Sequence, residues 1–300
     1  MGADASTATI PDTATSARRF PAVPLMTLGI PTLVVLLFFV LPIVLIGVYS
    51  FYSLDPVTGL MRADFTWANY EKALTSPIYR NLFWRTCVVA LISTVIALLL
   101  AYPVGYFIGA VADRRSQGIL LLLVLIPFWT SYIIRTYAWI GILQSNGFLD
   151  SAFGWVPGLP TNLLYSRTAV IIGFVHVYLP IMILSIYASA RNLDRRYVEA
   201  AHDLGASRFS AFVRVILPLT MPGVIAGIVL FFIPTFGSFV TPQLLGGTRD
   251  VMMGNIIDNQ FGEAFNWPFG AALSIIMTLV VILAMTLFFR FADVEEIYGS

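Results

Sequence analysis

The 300-residue sequence is 58% hydrophobic but only 11% charged, with a formal net charge of +1. A soluble domain carries about 25% charged residues, so this chain has too few to cover a water-facing surface, and the deficit points to a bilayer. The near-neutral balance and the lack of a basic stripe exclude nucleic acid as a partner.

Residues 1–23 are rich in Ala, Thr and Ser and end just after Arg18 and Arg19; they read as a disordered tail. The apolar run that follows is full length and carries no good cleavage pattern, so it predicts a retained signal-anchor helix rather than a cleaved leader. Pro21 and that long run also argue against twin-Arg export. A hydrocarbon core of about 30 Å needs about 20 apolar residues per helix. Six stretches qualify: Leu25 to Phe51, Phe83 to Val111, Ile119 to Leu143, Ala169 to Ala190, Val224 to Leu245 and Gly270 to Phe289. The expected fold is an all-α membrane protein with six transmembrane helices over residues 24–292 and a short tail at 293–300.

Arginine placement orients the chain. With the N-terminus inside, the inner segments hold Arg18, Arg19, Arg114, Arg115, Arg191, Arg195, Arg196, Arg208, Arg214 and Arg290. The longer outer segments hold Arg62, Lys72, Arg80, Arg85, Arg167 and Arg249. Both termini are therefore expected in the cytoplasm. Among the outer segments, Leu54–Leu82 is long enough for a short amphipathic helix, with Trp67, Tyr70 and Leu74 at helical spacing. The Gly- and Pro-rich segment Asn146–Arg167 is expected to fold over the outer mouth. Gly246–Pro268 sets Asp250, Asp258 and Glu263 against Arg249 and is net acidic.

Pro42, Pro103, Pro127, Pro180 and Pro234 fall inside predicted spans, where each removes a backbone donor and favours a kink. Pro234, Thr235, Gly237 and Ser238 fall together, so a broken helix there is a candidate to face a cavity with free carbonyls. Ser93, Ala97, Ala101, Gly105 and Gly109 recur at every fourth position and predict close helix packing. Arg135 lies within the third predicted span, beside Tyr132, Tyr137 and Trp139. It reads either as a snorkelling belt residue or as a gate residue paired to a carboxylate or carbonyl. His176 sits near the middle of the fourth. Tyr132, Arg135, Tyr137, His176, Pro234, Thr235, Gly237, Ser238, Asp258 and Glu263 form the candidate translocation path.

Cys87 is the only cysteine and lies in an apolar run, so neither a disulfide framework nor a zinc site can form, and two histidines make no metal cluster. Lys72 is the only lysine, and without a Gly-Lys pair no nucleotide-binding P-loop exists. Any ATP chemistry must belong to a partner.

The inner segment 191–222 reads as helix, break, helix. Leu193, Tyr197, Ala200, Ala201 and Leu204 line one stripe, Gly205 is placed to stop the helix, and Ser207 to cap the next. Phe209, Phe212, Val213 and Ile216 form the second apolar face, with Pro218 and Pro222 expected to end it before the fifth span. Glu199, Ala200 and Ala201, then Gly205, then Val215, Leu217 and Pro218 resemble the EAA loop of bacterial ABC importer permeases. That resemblance implies a type I permease fold in which Glu199–Ala206 is a coupling helix docked on an ATPase subunit. The segment Pro127–Trp139, Gly254-Asn-Ile-Ile and Trp267-Pro-Phe-Gly-Ala are similar to the spermidine/putrescine permease family, first component. It implies a second, related permease, two ATP-binding subunits that use ATP and Mg, an extracytoplasmic binding protein, a bacterial inner membrane, and no cofactor or catalytic residue on this chain. Opine and amino-acid-derivative (aminobutyrate) permeases share much of the pattern. A membrane-embedded enzyme lacks the clustered polar groups it needs, and an ATP-independent transporter or channel has no use for the Glu199 segment.

Overall fold

The structure, a computed structural model, describes residues 25–291 apart from 56, 155 and 157–161. The tails expected at 1–23 and 293–300 lie outside the described residues, as does part of the segment expected to cover the outer mouth. The chain divides into two compact units, residues 1–46 and 47–300. The first carries α1 (Leu25–Val35), a π-turn at Leu36–Val40 and most of α2 (Leu41–Tyr49). The stretch Pro31–Tyr49 is long and apolar enough to cross a membrane and has no buried side chain among the described residues.

The second unit opens with a minimal antiparallel hairpin, β1 (Ser53–Leu54) and β2 (Met61–Arg62), a small departure from the all-α expectation. Asp55 holds it: the carboxylate accepts from the Val57 and Thr58 amides and pairs with Arg62 at 2.5 Å. Those two backbone N–H groups keep its carboxyl below the ordinary carboxylate range. The amphipathic helix expected in this segment is α3 (Ala68–Thr75), with Trp67 at its N-cap.

α4 (Pro77–Tyr106) begins six residues before the expected start, because Pro77 suits the first turn of a helix and the extended Ser76 precedes it. It runs through a π-turn at Phe107–Val111. After a short link capped by Asp113 come α5 (Arg114–Leu125), a 3₁₀ turn at Ile126–Trp129 and α6 (Tyr132–Leu143). The third predicted span carries the kink expected at Pro127, but as a full break: α5 with its 3₁₀ turn and α6 meet at 91°. Pro127 sits at the start of the 3₁₀ turn, and Thr130 and Ser131 are extended. The Thr130 hydroxyl donates to the Pro127 carbonyl at 2.7 Å, so the break satisfies one of the carbonyls it frees.

α7 (Phe148–Phe153) and α8 (Arg167–Ala190) follow, then α9 (Arg195–Asp203) and α10 (Arg208–Ala211). α10 continues through a π-turn at Phe212–Ile216 into α11 (Leu217–Gly237), giving one apolar stretch of 30 residues. Pro218 and Pro222 therefore do not end the second inner helix. Pro218 is the second residue past a π-turn, as Pro42 is; the wider turn takes up the ring where an α-turn clashes.

The fifth span breaks where the cluster Pro234, Thr235, Gly237 and Ser238 suggested, short of the expected end at Leu245. α11 stops at Gly237, Ser238 is extended, and α12 (Val240–Leu245) starts afresh. The net acidic segment 246–268 contains α13 (Met253–Gly262), and α14 (Trp267–Phe291) closes the described chain. Among the described residues, five helices are long and apolar enough to cross a membrane, and the bent α5–α6 pair makes up to six.

α4, α8 and α11 pack together around Ala97, Ala101, Phe174, Met182, Ile186 and Phe231. The small-residue stripe of α4 is the seam with α8. A Cβ on Gly105 would stand 2.9 Å from the Ile183 carbonyl oxygen, and one on Gly109 would stand 2.8 Å from Ala190. In a bilayer this contact gains packing rather than water exclusion, so close approach is what stabilises it. A second core joins Phe232 and Phe236 of α11 to Met253, Phe269 and Leu273.

Candidate functional site

Two regions collect the residues that sequence reasoning singled out. The first is the turn between α9 and α10. Asp194 caps α9 by accepting from the Arg196 amide at 2.9 Å. At the other end Gly205 takes φ +84°, its amide donates to the His202 carbonyl, and the Ala206 amide reaches back to Ala201. These paired bonds satisfy two carbonyls left open at the helix end. Ser207 then accepts from the Ser210 amide at 3.2 Å and starts α10, as expected. Glu199, Ala200, Gly205 and Pro218 are exposed, while Ala201, Ala206, Val215 and Leu217 are half-buried.

The expected stripe does not bury itself on the chain: Leu204 is 89% exposed and Phe209 77%. Phe212, by contrast, meets the Tyr102 ring edge-on at 5.6 Å, and Ile216 is buried. The helix pair thus has one face on the bundle and a second apolar face without cover among the described residues. Arg195, which sequence reasoning left as one more cation, fixes α9: its Nη2 donates to the Ala110 carbonyl at the end of α4's π-turn, 2.8 Å away. Arg195→Ala is expected to speed amide exchange across 195–203 and leave exchange in α8 unchanged, read by hydrogen–deuterium exchange on the intact subunit. A cavity of about 460 Å³ opens beside this anchor, lined by Ser185, Ser189, Asn192, Asp194 and Tyr197.

The second region surrounds the breaks at 130–131 and 238–239. The Tyr132 hydroxyl bonds Thr241 Oγ1 at 2.6 Å and reaches Ser238 Oγ at 3.4 Å, so the two breaks are tied to each other. Arg135 lies one turn before Trp139 on α6, and Trp139 meets His176 edge-on at 5.3 Å. The guanidinium Nε and Nη1 are buried and have no hydrogen-bond partner among the described residues, while the Phe128 ring lies 5.6 Å away. The 91° bend accounts for this: it folds the 3₁₀ turn back beside the first turn of α6, presenting an aromatic face in place of a carboxylate.

Tyr137 is exposed and does not join these residues. Thr235 is fully buried, its hydroxyl turned back to the Phe231 carbonyl at 2.7 Å. Pro234 is half-buried within α11, and Gly237 is exposed at its end. Asp258 and Glu263 are exposed on and just after α13, and Glu263 accepts from Asn259 at 2.7 Å. Asp250, grouped with them by sequence, is instead paired with Arg167 at 3.6 Å, and Arg249 gives its carbonyl to Arg85. Sequence reasoning missed Phe239, Phe261 and Ser274, which share a cavity with Gly237 and Asp258. Their spacing in the chain carries no signal of that meeting.

Long apolar helices, with breaks stitched by hydroxyls, define the class: a multi-span integral membrane protein. Residues 93–294 match the family described as binding-protein-dependent transport system inner membrane component, and the chain belongs to that family. It is the permease subunit of an ABC importer, a multi-pass inner-membrane protein that is not itself catalytic; ATPase activity resides on a separate subunit.

Among its relatives, the spermidine/putrescine transport system permease protein PotB of Escherichia coli (strain K12) is 38% identical over 256 residues, covering 85% of this chain and 92% of that protein. PotB of Haemophilus influenzae is 39% identical over 258 residues, covering 85% and 89%. The inner membrane ABC transporter permease protein YdcU of E. coli is 31% identical over 255 residues, covering 81% and 80%. A chain from the crystal structure of a bacterial ABC transporter involved in import of the acidic polysaccharide alginate superposes with a TM-score of 0.72. It is 15% identical, with 89% of this chain and 94% of that one covered, and establishes likeness of fold alone.

Proposed function

We propose that this chain forms half of the translocation path of a polyamine importer, with spermidine or putrescine as cargo. The observation that carries the cargo is the 38–39% identity, over 85% of the chain, to permeases named for spermidine and putrescine. In this reading six spans cross the membrane with α5 and α6 as one broken span, and both termini are cytoplasmic, including the 1–23 and 293–300 tails. A second, related permease supplies the other half of the path, and an extracytoplasmic binding protein delivers cargo.

The turn between α9 and α10 is the coupling element within the loop 191–222. Glu199, Ala200, Ala201, Leu204, Gly205 and Ala206 dock on one of two ATP-binding subunits, and Val215, Leu217 and Pro218 carry the motion into α11. Its exposed Leu204 and Phe209, on a helix fixed by Arg195, support this role. ATP and Mg act on the docked subunits, and closure of those subunits moves this element as a rigid body. Such a contact transmits energy only if it differs between the two states of the cycle.

The test is uptake by proteoliposomes holding both permeases and both ATPases, with cargo-loaded binding protein outside and ATP inside. Labelled spermidine or putrescine is expected to accumulate only with ATP. Uptake of an opine or aminobutyrate without polyamine uptake rejects the cargo; uptake without ATP rejects the importer mechanism.

A further inference from the structure

Two cavities share Asp258 as a wall. One, of about 380 Å³, lies at the end of α11 and is lined by Gly237, Phe239, Phe261 and Ser274 with Asp258. The other, of about 370 Å³, is lined by Gln243, Asn255, Asn259 and Glu263 with Asp258. No lysine or arginine lines either one. Asp258 makes no ion pair among the described residues, although Asp250, eight positions earlier, is neutralised by Arg167.

Two further features of the first cavity favour a cation. Gly254 brings α13 against the carbonyls of Gly237 and Ser238, which places those oxygens at the C-terminal end of α11. Phe239 and Phe261 supply aromatic surface, which attracts an ammonium at its face and packs against methylene carbons. A cleft of one sign with apolar walls concentrates ions of the other sign.

We infer that Asp258 binds one ammonium group of the cargo, with Phe239 and Phe261 against the adjoining methylenes and the second cavity, past Asp258, receiving the next ammonium beside Glu263. The assignment rests on the polyamine reading and deepens it, since an alternation of charges and methylenes fits two cavities joined at one carboxylate. Asp258 is then a specificity-determining residue of the path.

The test uses the reconstituted importer with saturating polyamine-loaded binding protein, so that cargo capture outside does not limit the rate. Spermidine uptake and ATP hydrolysis are read together. Asp258→Asn is expected to lower spermidine uptake about tenfold or more, the scale of a lost charge-assisted hydrogen bond. Stimulation of ATP hydrolysis by loaded binding protein is expected to persist, so that less cargo moves per ATP. Asp258→Glu is expected to retain most uptake. Unchanged cargo per ATP in Asp258→Asn overturns the assignment, and so does an equal fall in uptake and ATP hydrolysis, which marks a structural role. A wild-type importer that moves no polyamine is a separate result and rejects the cargo reading itself.

Discussion

Gly205→Val is expected to leave the permease in the membrane and to abolish most ATP-driven uptake, by at least tenfold. The reason lies in the backbone. Gly205 has φ +84°, and nothing stands within 4 Å of where a Cβ would sit, so space is not the obstacle. A β-branched side chain in the left-handed region costs about 1–3 kcal/mol, and the turn must open to relieve it. Opening it breaks the Gly205–His202 and Ala206–Ala201 hydrogen bonds and re-aims α10 relative to α9. If the turn is the proposed coupling element, the exposed surface around Glu199 and Leu204 then no longer matches its ATPase partner. Co-purification of the ATPase with the variant and ATP-dependent uptake are the measurements. Gly205→Asn, which tolerates φ > 0 better, is expected to recover part of both. Full uptake and full ATPase association in Gly205→Val would falsify the coupling role.

Five of the six expected spans were legible as continuous helices because a bilayer demands apolar runs about 20 residues long. The turn at Gly205 was legible because a helix stop followed by a serine cap has a local signature. The breaks were harder. Pro103 and Pro180 lie inside continuous helices, whereas Pro127 begins a bend, so proline alone does not mark the place. Thr130 and Ser131 are small polar residues in an apolar run, and hydropathy averages over them. Arg135 was conspicuous in the sequence, but its aromatic neighbour Phe128 comes from the bend and was not foreseen. The cavity at Asp258 joins residues from 237 to 277, and no local pattern announces such a meeting.

A large, purely steric effect is expected at Gly254. A Cβ there would lie 2.5 Å from the Ser238 carbonyl oxygen, 2.9 Å from its carbon and 3.0 Å from the Gly237 carbonyl oxygen. All three are backbone atoms, so no side-chain rotation relieves the contact. Nor can α13 simply slide away. The Met253 amide donates to Thr86 Oγ1 on α4 at 2.9 Å, and Asn255 Nδ2 donates to the Phe239 carbonyl at 2.7 Å. One bond lies on each side of the glycine, so displacing it strains both. Overpacking of this kind costs about 1–3 kcal/mol. Gly254→Ala is therefore expected to lower the thermal unfolding midpoint of the purified subunit and to cut uptake sharply. The break after α11 and the cavity at Asp258 are built on the same contact. Gly237→Ala is the internal control: its Cβ meets nothing within 4 Å, and its midpoint is expected to stay near wild type. Equal midpoints for Gly254→Ala and Gly237→Ala would show that the helix end and α13 are not held at this distance, and would remove the carbonyl wall from the proposed cation site.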